Sequence, residues 1–345
     1  MLRSIPPENL HSNRENQSAM KILMTGGYGC IGAWIAKHVV DRGDELWIYD
    51  IAEDWHRIDL LLEPSARDRI HPIRGDVADQ AAFLKAVDAV GATQIIHLAG
   101  LQTPACRADP VRGAMVNVIG TLSVFQAAAA RKDFVRRVVY ASSAAVHGLP
   151  PSGDLGECLA DDVRLVPQTH YGAFKVCNEL NARVYWADSG VTSVGLRPWT
   201  VYGVGRDFGM TSEPTKAVKS AAIGRPYAIS YGGLQDFQYV SDVALTFLAA
   251  AERPFEGADV FNLSGRVEEI SAFVAALEEA VPEARGLVTH GDRQLPIAPN
   301  LDDSRLMSRF GPLPKTSLVD GIRWTSDRFR LLESEGRLDL SDLGT

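Results

Sequence analysis

Lys21-Ile22-Leu23-Met24-Thr25-Gly26-Gly27-Tyr28-Gly29-Cys30-Ile31-Gly32 is a short apolar run that breaks into three spaced glycines and continues with helical periodicity. The continuation, CIGAWIAKHVVDRG, places Ile31, Ile35 and Val39 on one helical face and exits at Gly43. In a strand-turn-helix of this kind the first glycine, Gly26, permits the tight turn. Gly29 lets the backbone approach a pyrophosphate, and Gly32 lets the helix pack closely on the strand. The helix N-terminus then presents unpaired N–H groups and a positive dipole end to phosphate, which makes Cys30 and Ile31 contacts as well.

Glycines collect in many loops, so the context decides. ELWIYD reads as a second strand, and Asp50 at its end stands about 20 residues on, where the dinucleotide fingerprint places an acceptor for the ribose hydroxyls. A carboxylate there repels a 2′-phosphate, which favours NAD over NADP. HPIRGD is a third strand; Asp76, followed by Val77, reads either as an adenine contact or as the N-cap of DQAAFLKAVDAVG.

Outward from this point strands and helices alternate. TQIIHLAG and RRVVYASS are the fourth and fifth strands, the segment from Asp109 to Arg131 is a long helix, and YGAFKVCNELNARVYWADSG is a helix followed by the strand VTSVGLRP. That rhythm predicts an α/β fold: a Rossmann-type doubly wound parallel sheet with a smaller C-terminal substrate-binding lobe. The domain reading is a disordered extension over 1–19, an NAD-binding domain over 20–200, and a mainly substrate-binding lobe over 201–345, with about 236–265 returning to the first domain. Past Pro198 the stretches GVGRDFGMTSEPT, YGGLQDFQYV and HGDRQLPIAPN read as loop-rich, between the helices SAFVAALEEAV and SLVDGIRWTSDRFRLLES.

Composition excludes several classes. A chain of 345 residues can bury a substantial core, and a net charge of -8 without a Lys/Arg stripe gives no footprint for nucleic acid. Cys30, Cys106, Cys158 and Cys177 lack metal-site spacing and read as reduced thiols of a cytoplasmic protein, most of them packing residues. No metal site is expected. No apolar run approaches the ~20 residues that cross a bilayer, so no membrane partner is expected.

Tyr171 and Lys175 lie four apart and share a helical face. A phenol is a poor base near neutrality, and a neighbouring cation favours its phenolate. Ser142-Ser143 end the fifth strand, where a parallel sheet opens its ligand crevice. Tyr-x-x-x-Lys is a common accident alone; after a dinucleotide turn and a strand-end serine it is not.

With these residues the chain resembles an extended short-chain dehydrogenase/reductase of the NAD-dependent epimerase/dehydratase group. The likeness rests on TGGYGCIG, Asp50, GDV, HLAG, MVNVIGT, ASSAAVHG, YGAFK, LRPWTVYG and DFQYVSDVA, from about Met20 to Gly265. It implies that Tyr171 is the acid/base, that Lys175 lowers its pKa and grips the nicotinamide ribose, and that Ser143 is the catalytic hydroxyl. It also implies cofactor contacts from Leu98, Ala99, Gly100, Asn117 and Pro198, with His97 packed under the cofactor, and a homodimer formed through the two long helices.

Departures narrow the chemistry. The Asp-Glu pair that follows the catalytic hydroxyl in family dehydratases is Ala144-Ala145 here, which removes the second acid and base that eliminate water. Thr200 and Gln235 stand where nucleotide-sugar enzymes commonly carry Asn and a diphosphate-binding Arg. These departures point to a smaller carbohydrate, sugar acid or polyol, with Arg206 an anion contact and Ala144, His147, Thr200 and Gln235 further substrate candidates. The expected enzyme oxidises a secondary hydroxyl, as a dehydrogenase or an epimerase. A UDP-sugar 4-epimerase and a non-catalytic NAD-binding scaffold or sensor are the alternatives.

Overall fold

The structure, a computed structural model, describes residues 20–343; the expectation of a disordered extension over 1–19 lies outside the described residues. Its frame is a seven-stranded, wholly parallel sheet built by strand-helix alternation. The chain runs through β1 (Ile22–Thr25), α1 (Cys30–Asp41), β2 (Leu46–Asp50), the single turn α2 (His56–Asp59), β3 (Ile70–Arg74), α3 (Gln80–Val90) and β4 (Gln94–His97). Next come α4 (Thr103–Ala108), α5 (Pro110–Ala114), α6 (Gly120–Ala130), β5 (Arg137–Ala141), α7 (His170–Ser189) and β6 (Ser193–Arg197). β1 and β4 are buried at every residue, as strands covered on both faces must be.

Strand order is β10-β6-β5-β4-β1-β2-β3, where β10 is Ala258–Asn262. The order reverses between β1 and β4, and ligands of such sheets bind outside the strand C-termini at that reversal. The sheet separates two cores: Trp34, Ile35 and Val39 of α1 join one, and Phe83, Val87, Val124 and Phe125 form the other.

The part beyond β6 holds β7 (Thr200–Tyr202), α8 (Glu213–Ala222), β8 (Tyr227–Ile229), β9 (Leu234–Tyr239) and α9 (Val240–Glu252). After β10 come β11 (Arg266–Glu269), α10 (Ile270–Ala280), β12 (Val288–His290), α11 (Ser304–Phe310) and α12 (Leu318–Ser334). β11, β9 and β7 make a three-stranded sheet, and β12 pairs with β8.

Three expectations need correction. LQDFQY is not loop but β9, buried from Gln235 to Tyr239. Its polar side chains hid the pattern, because much of their hydrogen bonding is made inside the fold: Gln238 donates to the Asp236 carboxylate at 2.7 Å and accepts from the Trp199 amide at 3.0 Å. The long helix after Asp109 is interrupted by one π-turn, Met115–Ile119. Finally, Pro110–Ala130 is by itself 21 residues long with mean hydropathy 1.4, enough by length and composition to span a membrane; half of it is buried inside this fold.

Candidate active site

A single cavity of about 450 Å³ runs along the sheet C-termini, from Gly26, Asp50 and Asp76 at one end to Ser143, Tyr171 and Lys175 at the other. At the first end Gly26 sits at φ +68°, and a Cβ there would lie 2.5 Å from the Ala99 amide nitrogen. Only glycine lets β1 turn this close to the end of β4. Gly29 is the N-cap of α1 and supplies no side-chain cap, so the first N–H groups of the helix face the cavity lined by Cys30, Ile31 and Gly32.

Asp50 lines the cavity and accepts from the Ile51 amide at 2.8 Å; burial pushes its carboxyl up, against hydrogen bonds from Ile51, Tyr28 and Ala52. Asp76 accepts from the Ala78 amide at 2.9 Å and also lines the cavity, beside Val77. The capping reading of Asp76 is corrected: the N-cap of α3 is Asp79, which accepts from Ala82 at 3.0 Å.

Midway, Leu98, Ala99 and Gly100 form the wall. A Cβ on Gly100 would come within 2.6 Å of Asn117 Oδ1 and 3.7 Å of Lys175 Nζ. The π-turn carries Asn117 inward, where its Nδ2 donates to Gly113 O at 3.0 Å and Leu101 O at 3.2 Å while its buried Oδ1 has no partner. A π-turn of this kind often marks a functional position. The cradle left by Gly100, the orphaned Asn117 Oδ1 and the uncapped α1 terminus fit a dinucleotide. His97 lies beneath, bonded to Thr25 at 2.7 Å and Thr121 at 3.0 Å; burial, helped by the Lys175 charge, pushes it down to about 3, so the ring is neutral.

At the far end α7 places Tyr171, Lys175 and Glu179 at successive four-residue steps along one face. Lys175 Nζ donates to Ala141 O at 2.7 Å and lies 5.5 Å from the centre of the Tyr171 ring. Burial pushes Lys175 down to about 8. Burial also pushes the Tyr171 phenol above its ordinary value, opposed first by a hydrogen bond with Ser143 and then by the charge of Arg206. The charge of Arg206 thus bears on the Tyr171 phenol in addition to the Lys175 ammonium beside its ring.

Ser143 follows β5, accepts from the Ala145 amide at 3.2 Å and faces the cavity with Ala144. Ser142 instead turns under the sheet to donate to Glu179. Pro198, another wall residue, accepts from the Ala144 amide at 3.0 Å and joins the ends of β5 and β6.

Of the substrate candidates, Ala144 and Arg206 line the cavity; His147, Thr200 and Gln235 do not. His147 is 2% exposed and bonded to Asn262 at 2.9 Å. Thr200 donates to Gln235 Oε1 at 3.2 Å, and both are fully buried. These three positions are therefore corrected from substrate contacts to interior polar contacts. Sequence reasoning passed over Met210, Thr211 and Ile297, which complete the substrate end, and Cys106, whose thiol donates to Leu101 O at 3.3 Å and accepts from Asn117 Nδ2 at 3.3 Å. Nothing in their spacing marks them, since Met210-Thr211, Ile297 and the short helix α4 that carries Cys106 come from separate parts of the chain.

Comparison with known proteins agrees with this geometry. The profile of the NAD dependent epimerase/dehydratase family matches residues 22–264. The UDP-glucose 4-epimerase of Mycolicibacterium smegmatis is 28% identical over 90% of this chain and 99% of its own. Among solved structures, the Thermus thermophilus UDP-glucose 4-epimerase in complex with NAD has a TM-score of 0.76 at 26% identity, covering 90% of this chain and 99% of that one. L-threonine dehydrogenase of Clostridium difficile has a TM-score of 0.77 at 19% identity, covering 93% of this chain and 100% of that one, and shares the fold.

Proposed function

Because the chain belongs to the NAD-dependent epimerase/dehydratase family of extended short-chain dehydrogenases/reductases, we propose that it oxidises a secondary hydroxyl of a carbohydrate, sugar acid or polyol. The observation that carries this reading is the meeting of Ser143, Tyr171 and Lys175 at one end of a cavity whose other end is the glycine turn and Asp50. Bound NAD supplies the hydride acceptor and, in an epimerase, the donor that returns it. The glycine turn and α1 terminus would hold its pyrophosphate and Asp50 its adenosine ribose, while Asn117 and Lys175 border the cradle at Gly100. Ser143 holds the substrate oxygen and Tyr171 takes its proton, so that a ketone forms as the C–H bond breaks. Lys175 fixes the phenol's surroundings from Ala141 O. With alanine at 144 and 145, no carboxyl follows Ser143 to drive elimination.

A screen of sugars, sugar acids and polyols with NAD tests this, read as reduced nicotinamide absorbance. UDP-glucose epimerisation without net NADH is the second reading, supported by the 28% identical relative named above. Retention of Ser143, Tyr171 and Lys175 argues against a non-catalytic scaffold. Asp50→Ser is expected to weaken NAD roughly 10-fold, the worth of a charged hydrogen bond, and to relax discrimination against NADP. Equal loss for both cofactors in fluorescence titration would refute the assignment of Asp50 to the ribose.

We propose a homodimer through Pro110–Ala130 and α7. Val111, Met115 and Ile119 are exposed at four-residue spacing on the first helix, and Leu180 and Val184 on the second. Such a contiguous apolar stripe marks an interface. Met115→Lys with Val184→Glu is expected to yield a folded monomer by light scattering; an unchanged mass for wild type and variant would exclude this face. A reducing cytoplasm is the proposed location, because the four cysteines are all unpaired.

A further inference from the structure

The substrate end of the cavity contains a guanidinium with no anion. Arg206 lines it, and its Nη2 donates to Thr211 Oγ1 at 3.1 Å. Its Nε is buried without any acceptor, and among the described residues no carboxylate pairs with it. The adjacent carboxylate is diverted: Asp207 accepts from Arg57 Nη2 at 2.7 Å and Nε at 3.2 Å. Arg57 also donates to Gly205 O at 3.2 Å and Tyr28 O at 3.3 Å, which ties the residue before Arg206 to the glycine turn. From the other side Gln102 packs against Gly209, whose own Cα leaves room beside the Arg206 Nη2.

Arg206 is partly buried, its Nε is shut off from water without an acceptor, and the nearest carboxylate is taken by a second arginine, so its remaining donors stand free for an anionic ligand. Thr211 accepts from Arg206, so its own hydroxyl proton stays available to the same ligand. We infer that Arg206 and Thr211 form an anion subsite for a substrate carboxylate, and that the substrate is a sugar acid whose reacting hydroxyl meets Ser143 and Tyr171. This rests on the oxidoreductase reading above and goes beyond it by choosing among neutral and acidic sugars. The rival source of an anion is the cofactor pyrophosphate, since Arg206 is also close enough to Cys30 for its charge to be felt there.

Calorimetric titration of the NAD-loaded protein separates these cases, with D-gluconate and D-glucuronate as probes against D-glucitol, D-glucose and UDP-glucose. At least one acid is expected to bind wild type, to weaken about 10-fold or more in Arg206→Gln, as for a lost charged hydrogen bond, and to recover in part in Arg206→Lys. NAD affinity should be little changed in both variants. The subsite is overturned if neither acid binds, if acids bind Arg206→Gln as well as wild type, if NAD affinity falls instead, or if UDP-glucose alone depends on Arg206. Turnover followed in the same samples judges the underlying reading separately. Acid binding without NADH formation from any probe keeps the subsite and refutes alcohol oxidation; NADH from a neutral polyol with no acid binding does the reverse.

Discussion

Tyr171→Phe is expected to lower the rate of NAD-linked alcohol oxidation by about 10²–10⁴-fold, the usual contribution of a positioned acid/base, with KM for the substrate nearly unchanged. The substitution removes one oxygen and leaves the ring under Lys175 Nζ, so the packing of α7 survives. What is lost is the partner of the Ser143 hydroxyl and the acceptor of the substrate proton. The phenol stands above its ordinary value because it is buried, and only its deprotonated form is a base. In the wild-type enzyme the oxidation rate should therefore rise through the neutral and mildly alkaline range, about tenfold per pH unit where this ionisation is limiting. Tyr171→Phe should flatten that rise. A variant that keeps the wild-type rate and slope would remove Tyr171 from the chemistry.

Legibility in the sequence follows from how local each constraint is. Gly26 was readable because a positive φ at a strand end is a backbone requirement that one residue type meets. Asp50 was readable because it terminates a strand at a fixed distance from that turn, and Tyr171 with Lys175 because helical spacing alone puts them on one face. The seven-stranded sheet was legible for the same reason, as runs of apolar residues alternating with helical periods. Met210, Thr211 and Ile297 reach the cavity through tertiary packing of segments far apart in the chain, and no period encodes that. Thr200 and Gln235 were misleading in the opposite sense. Polar residues near an expected site suggested substrate, while Thr200 donates to Gln235 in the interior and Gln235 Nε2 is buried without an acceptor. Interior hydrogen bonding also disguised β9, where burial pushes Asp236 up to about 7 beside its bonds from Gln238 and Gly265.

The deepest of these polar contacts carries the second large effect. Arg197, 1% exposed at the end of β6, donates to Glu179 through Nε at 2.9 Å and Nη2 at 2.8 Å. Its Nη1 donates to Asp161 O at 2.9 Å and Asn262 Oδ1 at 3.1 Å. Glu179→Ala should destabilise the fold by about 3–5 kcal/mol, because it leaves a desolvated guanidinium with neutral partners only. The urea midpoint reads that loss. Arg197→Met with Glu179→Leu should recover most of it, since an apolar pair of similar volume carries no desolvation penalty. Glu179 lies two turns beyond Tyr171 on the same face of α7 and accepts from Ser142, the neighbour of Ser143. The ion pair thereby fixes β5, β6 and α7 relative to one another directly beneath the reacting groups. The doubly substituted protein should accordingly regain stability without regaining full turnover, because Ser142 loses its acceptor and Ser143 its fixed neighbour. If the double variant is as unstable as Glu179→Ala, the unpaired charge is not the source of the loss; if it is fully active, the layer under the site supports the fold alone.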